Sequence, residues 1–323
     1  MAKHSLMFIC AITPLHNGAG EGLGLVDNPI MRERTTLFPI IQSTSIKGVL
    51  RDAFGADKDP NVQALFGPPP GKGDSHGGAV SFSDGQILAF PVRSLKGIFV
   101  WAISPLILYR LHRNIELAGL TGQFPKLTEL LRDIDSSFNN TPNKARICPS
   151  GKNYLLIKDR LILEEFPKIF EVSNKLEEFA KEISPKLFDS SSSFLKAEFE
   201  KKLVLLTEDS FRHFATNATE IMPNIRIGEN GTTETGSLRY TEFLPSETVL
   251  YTFISFEKAN QPKDDDVLLN LIKEIKVNKT GTELNFDDGD EWVKALFEQG
   301  KPSVIQIGGD ETTGKGVVQL MLV

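Results

Sequence analysis

Four glycines, at positions 18, 20, 22 and 24, fall within residues 13–24. That density excludes a helix or strand interior, because glycine loses the most backbone freedom on ordering and brings no side chain to pack. The segment is a loop whose backbone can approach a ligand closely. Residues 5–12 before it are apolar, with β-branched Ile9 and Ile12, and predict a short buried strand. Residues 308–316 form a second glycine-dense stretch between two β-like runs, 303–307 and 317–323. Both ends of the chain therefore read as strands bordered by glycine loops.

Between them the chain interleaves strands and helices without regular βαβ alternation, which predicts an α+β fold on an antiparallel sheet. Strands are expected at 79–83, 87–92, 97–102 and 248–256, with Asp84-Gly85 as a hairpin signal. Helices are expected from Pro105 to about Asn114, over 266–275 and over 291–297. Ile46, Val49, Leu50, Ala53 and Phe54 recur at helical spacing, and Ser43, Thr44 or Ser45 would cap that helix. Residues 68–73, Pro-Pro-Pro-Gly-Lys-Gly, mark an exposed loop. Residues 115–210 change to Lys/Glu-rich amphipathic segments, notably 166–183, and read as a mainly helical insertion in a single elaborated domain spanning 1–323. The runs 221–227 and 237–243 flank a polar, glycine-rich tip and predict a long β-hairpin.

At 323 residues the chain can bury a core, and its longest apolar runs fall short of the roughly 20 residues of a membrane helix. No signal-peptide layout is present, so the expected place is the cytoplasm, without a membrane partner. Cys10 and Cys148 are far apart and support neither a disulfide framework nor a cysteine-rich zinc site. The net charge of −6 argues against coating nucleic acid over the whole surface. The charge is uneven: residues 1–120 carry 11 Lys and Arg against 9 Asp and Glu, whereas residues 211–323 carry 11 against 18. An anionic ligand is therefore expected in the first third, and RNA binding through one local groove remains open.

Gly309, Gly314 and Lys315 have the spacing of a phosphate-binding P-loop, but Gly316 stands where a magnesium-binding Ser or Thr belongs and no helix follows. What remains is a tight turn, or a turn whose amides and Lys315 lie against a sugar-phosphate chain. Lys47 and Arg51 are spaced i,i+4 near a helix start, where free amides also favour an anion. A capped helix with solvated basic residues would look the same. Asp27 follows the first glycine loop and could hold a divalent metal or orient a hydroxyl, or could be an Asp turn ahead of Asn28-Pro29. His16 could be a general base or a plain hydrogen-bonding group.

Taken together, residues 13–20 (Thr-Pro-Leu-His-Asn-Gly-Ala-Gly), Val26-Asp27-Asn28-Pro29-Ile30 with Arg32-Glu33, the run 41–48 and Leu50-Arg51 resemble the N-terminal signature of RAMP-superfamily CRISPR proteins. The likeness is to the backbone subunits of type III-B Cmr effector complexes. The loop 308–316 and the stretch 240–245, Tyr-Thr-Glu-Phe-Leu-Pro, with Glu247-Thr248, are also similar to that family.

The resemblance implies a ferredoxin-like, RRM-like palm with a β-hairpin thumb. Copies of the chain would stack along one guide crRNA with other Cmr-type subunits, and each thumb would wedge into the guide–target duplex. Met222, Ile225 and Ile227 are the expected wedge residues. It further implies an endoribonuclease that cuts the target RNA at regular intervals through Asp27 and a divalent metal, Mg²⁺. Guide contacts would come from Ser45, Lys47 and Arg51 at the helix start and from Gly308, Gly309, Gly314 and Lys315. Other readings stay open: a filament subunit with an inert Asp27, a metal-independent processor of precursor guide RNA using His16 as base, and a protein-interaction module.

Overall fold

The structure is a computed structural model and describes residues 2–22, 24–69, 71, 76–138, 143–262 and 265–323. Of the proline-rich loop expected at 68–73, Pro70, Lys72 and Gly73 lie outside the described residues.

The expected strand over 5–12 is observed as Lys3–Ala11 and forms the middle of the palm. It pairs antiparallel with Val249–Phe256 on one side and with Val317–Leu322 on the other. Leu6, Met7, Phe8 and Ile9 are fully buried on both faces of the strand, which explains why its apolar run is continuous instead of alternating. Gly85–Arg93 continues the sheet beyond Val249–Phe256, and Phe99–Ile103 follows it, all antiparallel. Helix Ser43–Phe54 buries Ile46 and Leu50, and its Phe54 ring stacks on Phe297 at 5.5 Å.

Several expectations need correction. Ser43, Thr44 and Ser45 do not cap their helix. Its N-cap residue is Gln42, and the carboxylate of Asp84 accepts the Ser43 N–H at 2.8 Å. Asp84-Gly85 is not a hairpin turn either: Val80–Phe82 and Gly85–Arg93 both pair with successive parts of Val249–Phe256, so the dipeptide is a jog along one shared neighbour.

The segment 115–210 has the expected helices, Pro125–Ser137, Asn174–Leu187 and Ser193–Lys202, but it also contributes strands to the main sheet. Leu203–Leu206 pairs parallel with Phe99–Ile103, and Lys144–Ile147 pairs parallel with Phe166–Val172. The sheet is therefore mixed here and antiparallel in the palm. The amphipathic stretch 166–183 divides into strand Phe166–Val172 and a helix that Ser173 caps through the Leu176 N–H. Cys10 and Cys148 are buried, and burial pushes both thiols up.

Among the described residues no helix is long and apolar enough to cross a membrane.

Candidate nucleic-acid interface

The two glycine loops meet. Gly316 N–H donates to the Pro14 carbonyl at 2.8 Å, and Gly309 N–H donates to the His16 carbonyl at 2.9 Å. Gly308, at φ +94°, lies so close that a Cβ there would sit 2.2 Å from the His16 carbonyl oxygen. Only a residue without a side chain allows this approach. The C-terminal loop closes the antiparallel pair Val304–Gln306 and Val317–Leu322 over a short 3-10 turn, Glu311–Thr313, and no helix follows it. That context excludes a nucleotide-binding P-loop.

The hairpin expected at 221–243 is observed as Glu220–Asn224 paired with Arg239–Phe243. Alternate residues of a strand point their peptide groups to the same edge, so Tyr240 and Glu242 share one. Asp27 and Asn28 occupy that edge. The Asp27 carboxylate accepts the Tyr240 N–H at 2.7 Å, Asn28 N–H donates to the Tyr240 carbonyl at 3.0 Å, and Glu242 N–H donates to the Asn28 carbonyl at 3.0 Å. The Asp27 side chain itself is exposed.

His16 joins the same edge, its Nδ1 lying 2.7 Å from the Glu242 carbonyl. A carbonyl only accepts, so Nδ1 carries the proton and Nε2 is left as the basic nitrogen. Gly18 keeps that nitrogen accessible, since a Cβ there would come within 2.7 Å of it. The anchor points of Asp27 and His16 are two residues apart, about 7 Å along the strand. Lys315 approaches from the opposite loop, with Nζ 5.4 Å from the centre of the Phe243 ring. It also faces Glu220, whose carboxyl is pushed up by burial while the Lys315 charge opposes that shift.

Sequence reasoning missed the residue that holds this edge together. Glu242 is buried, and its Oε2 accepts the Ile30 N–H at 3.0 Å. Its Oε1 accepts from Arg32 Nη2 at 2.6 Å and from the Thr219 hydroxyl at 2.8 Å. Arg32 Nη1 donates in addition to the carbonyls of Leu37 and Ala215. Both residues lie in stretches that carry the family resemblance, but they are 210 positions apart and nothing in one sequence pairs them.

Lys47 and Arg51 differ in their partners. Arg51 Nε donates to Asp57 at 2.9 Å and its Nη1 to the Gly67 carbonyl at 3.0 Å, so this guanidinium fastens the turn after the helix instead of joining a cationic face. Lys47 lines a groove of about 250 Å³ with Ser43, Thr44 and Ser81, and burial and the Arg51 charge push its amine down. Ser45 is the third residue of the helix, within its first turn, and is half-buried. The helix start is tied to the glycine loops through Asn17, whose Nδ2 donates to the Ile40 carbonyl at 3.2 Å.

On the hairpin, Ile225 and Ile227 are 52% and 57% exposed, while Met222 is half-buried. Ile221, Leu238 and Tyr240 are further exposed apolar side chains there.

Among the described residues no group of three or more His, Cys, Asp or Glu could enclose a metal ion. Asp27 alone fits an ion such as Mg²⁺, which takes one or two carboxylates and completes its shell from water and substrate phosphates.

The model of the RAMP superfamily matches residues 8–319. The CRISPR system Cmr endoribonuclease Cmr4 of Pyrococcus furiosus is 35% identical over 328 residues, covering 99% of this chain and 96% of that protein. The crystal structure of oligomeric Cmr4 from Pyrococcus furiosus matches with a TM-score of 0.63 at 27% identity, covering 100% of this chain and 98% of that one. A chain of the type III-B Cmr-beta complex bound to cognate target RNA has a TM-score of 0.69 at 19% identity, covering 99% and 96%, which shows a common fold. With the glycine loops joined, a hairpin thumb on an antiparallel palm, and this match along nearly its whole length, the chain belongs to the RAMP superfamily and, within it, to the family of the Pyrococcus furiosus Cmr4 protein.

Proposed function

We propose that this protein is the backbone subunit of a type III-B CRISPR ribonucleoprotein in the cytoplasm. Copies of it stack along guide crRNA beside other Cmr-type subunits, and each cuts the complementary target RNA. The observation that carries this reading is the Asp27 carboxylate fixed on the edge of the thumb hairpin by the Tyr240 N–H. A nucleotide splayed by the exposed Ile225 and Ile227 beside that edge can swing its 2′-hydroxyl in line with its own phosphate. The 2′-oxygen then bonds to phosphorus as the bond to the 5′-oxygen breaks and that oxygen takes a proton from water, leaving a 2′,3′-cyclic phosphate and a 5′-hydroxyl.

Each residue has a task in this scheme. His16 Nε2 can take the proton from the 2′-hydroxyl, and Lys315 can neutralise charge on the phosphate. Asp27 would hold Mg²⁺, which when bound supplies charge neutralisation at the phosphate. Guide contacts fall to the Gly308–Gly309 backbone, Gly314, Lys315, Ser45 and Lys47, with Arg51 in a supporting place.

The test is target cutting by the assembled complex. Asp27→Ala and Asp27→Asn should each abolish regularly spaced products, and EDTA should do the same for the parent complex. Asn keeps an acceptor for the Tyr240 N–H, so loss of cutting in that variant assigns the role to the charge. Unchanged cutting in Asp27→Ala would favour a purely structural RNA-binding subunit. Cutting that persists in EDTA and vanishes in His16→Ala would favour the metal-independent reaction.

A further inference from the structure

Strand Phe166–Val172 carries Lys168 into the interior, where it is only 6% exposed. Its Nζ reaches two neutral oxygens, Ser210 Oγ at 3.0 Å and Asn143 Oδ1 at 3.5 Å, and lies 5.3 Å from the Phe214 ring centre. Among the described residues no carboxylate comes within ion-pair distance of it, and burial alone pushes the amine down. Residues 139–142, Asn-Asn-Thr-Pro, have no carboxylate to offer. A buried ammonium is ordinarily paired with an anion, and this one has no anionic partner among the described residues.

Lys168 lines two cavities. One, of about 480 Å³, is lined by Lys168, Asn143, Asp159, Arg160 and Phe170. The other, of about 230 Å³, is lined by Lys168, Thr207, Asp209, Ser210, His213 and Phe166. Thr207 and Ser210 belong to the N-terminus of helix Glu208–Asn217, and the Thr207 side chain caps none of its amides. A helix start of this length presents free N–H groups and positive potential to an anion. Two acidic groups in this first turn are already engaged, Asp209 with Arg212 at 3.2 Å and Glu208 with the Leu106 N–H. The larger cavity alone lies within the size range of small-ligand sites.

We propose that these cavities form one phosphate-binding site. Lys168 and the first turn of helix Glu208–Asn217 hold the phosphate group, and the exposed Arg160 guides it in. The phosphate belongs to a free nucleotide or to an RNA strand. The site is distant in sequence from the Asp27 edge and shares no residue with it, so it stands whether or not the chain cuts RNA.

The experiment is calorimetric titration of the full chain with adenosine monophosphate, followed by competition with a ten-nucleotide single-stranded RNA. Saturable nucleotide binding is expected, about tenfold or more weaker in Lys168→Met, as for loss of a charge-assisted hydrogen bond. Arg160→Ala, on the surface, should weaken it several-fold without affecting folding, and Ser210→Ala keeps the charge while removing one ligand. Displacement of the nucleotide by the RNA identifies a strand as the source of the phosphate, and no displacement identifies a free nucleotide. Absence of saturable binding in the parent chain, or equal affinity in all three variants, would overturn the proposal.

Discussion

Replacing Arg32 by Met tests whether the edge that carries Asp27 is held by the buried pair with Glu242. The two side chains are only 16% and 9% exposed and meet at 2.6 Å. Removing the guanidinium leaves a buried carboxylate without its counter-charge and takes the side-chain donor away from the carbonyls of Leu37 and Ala215. Breaking one partner out of a buried ion pair costs about 3–5 kcal/mol. Glu242 keeps the Ile30 N–H and the Thr219 hydroxyl, which places the expected loss near the lower limit, about 3 kcal/mol.

Urea unfolding of the parent, Arg32→Met, Glu242→Gln and the double variant measures this loss directly. The double variant should be more stable than the sum of the single losses predicts, by about 1–2 kcal/mol, because the charge that Arg32 compensates is then absent. Target cutting by complexes built with Arg32→Met should fall at temperatures where the chain is still folded. A loss below about 1 kcal/mol, or strictly additive losses, would refute the view that this pair anchors the Asp27 segment.

Other outcomes follow from the same contacts. Gly316→Ala should cost at least about 2 kcal/mol in thermal or urea unfolding, since φ is +75° and the new Cβ would meet the Ile307 carbonyl oxygen at 2.1 Å; Gly122→Ala, with open space around it, should be near neutral. Burial holds the Glu247 carboxyl above its ordinary value of 4.5, so the folded state binds that proton more tightly than the unfolded state. Parental stability from this group is therefore full below pH 4.5 and is lost as pH rises through the raised folded value. Glu247→Gln should be progressively more stable than the parent from pH 4 to pH 7 in urea titrations, and a constant difference would refute the assignment. Ile225→Ser with Ile227→Ser should change stability by no more than about 0.5 kcal/mol, as for exposed positions, yet reduce target cutting in the complex; unaltered cutting would remove these residues from the wedge.

The palm was legible because its signals are local. A buried strand, a helix with Ile46 and Leu50 on its inner face and a hairpin around a glycine-rich tip each follow from the order of neighbouring residues. Both glycine loops were legible as loops from their own residues. The strands within 144–206 were missed because Lys/Glu-rich composition masks short β-runs such as Leu203–Leu206, whose burial is decided by distant neighbours. The partners of Arg51 were hidden for a similar reason. Its spacing from Lys47 fixes a shared helix side, but the bonds to Asp57 and Gly67 depend on how the following turn folds back. Glu242 was invisible as an anchor, since burial and its pairing with Arg32 exist only after the thumb has docked.

The thumb and the Asp27 segment form one mechanical unit. A two-stranded hairpin is marginal by itself in water, and an exposed edge leaves peptide groups unpaired. Here Asp27 and Asn28 supply the missing neighbour along Tyr240–Glu242, and Glu242 closes the far end by binding Ile30 and Arg32. Displacing the hairpin must therefore carry the Asp27 carboxylate with it, and the His16 ring too, since it hangs from the same strand through the Glu242 carbonyl. In a subunit whose thumb splays a duplex, that linkage would bring the Asp27 carboxylate and the His16 ring together to the nucleotide being splayed, with no separate motion needed to assemble the site.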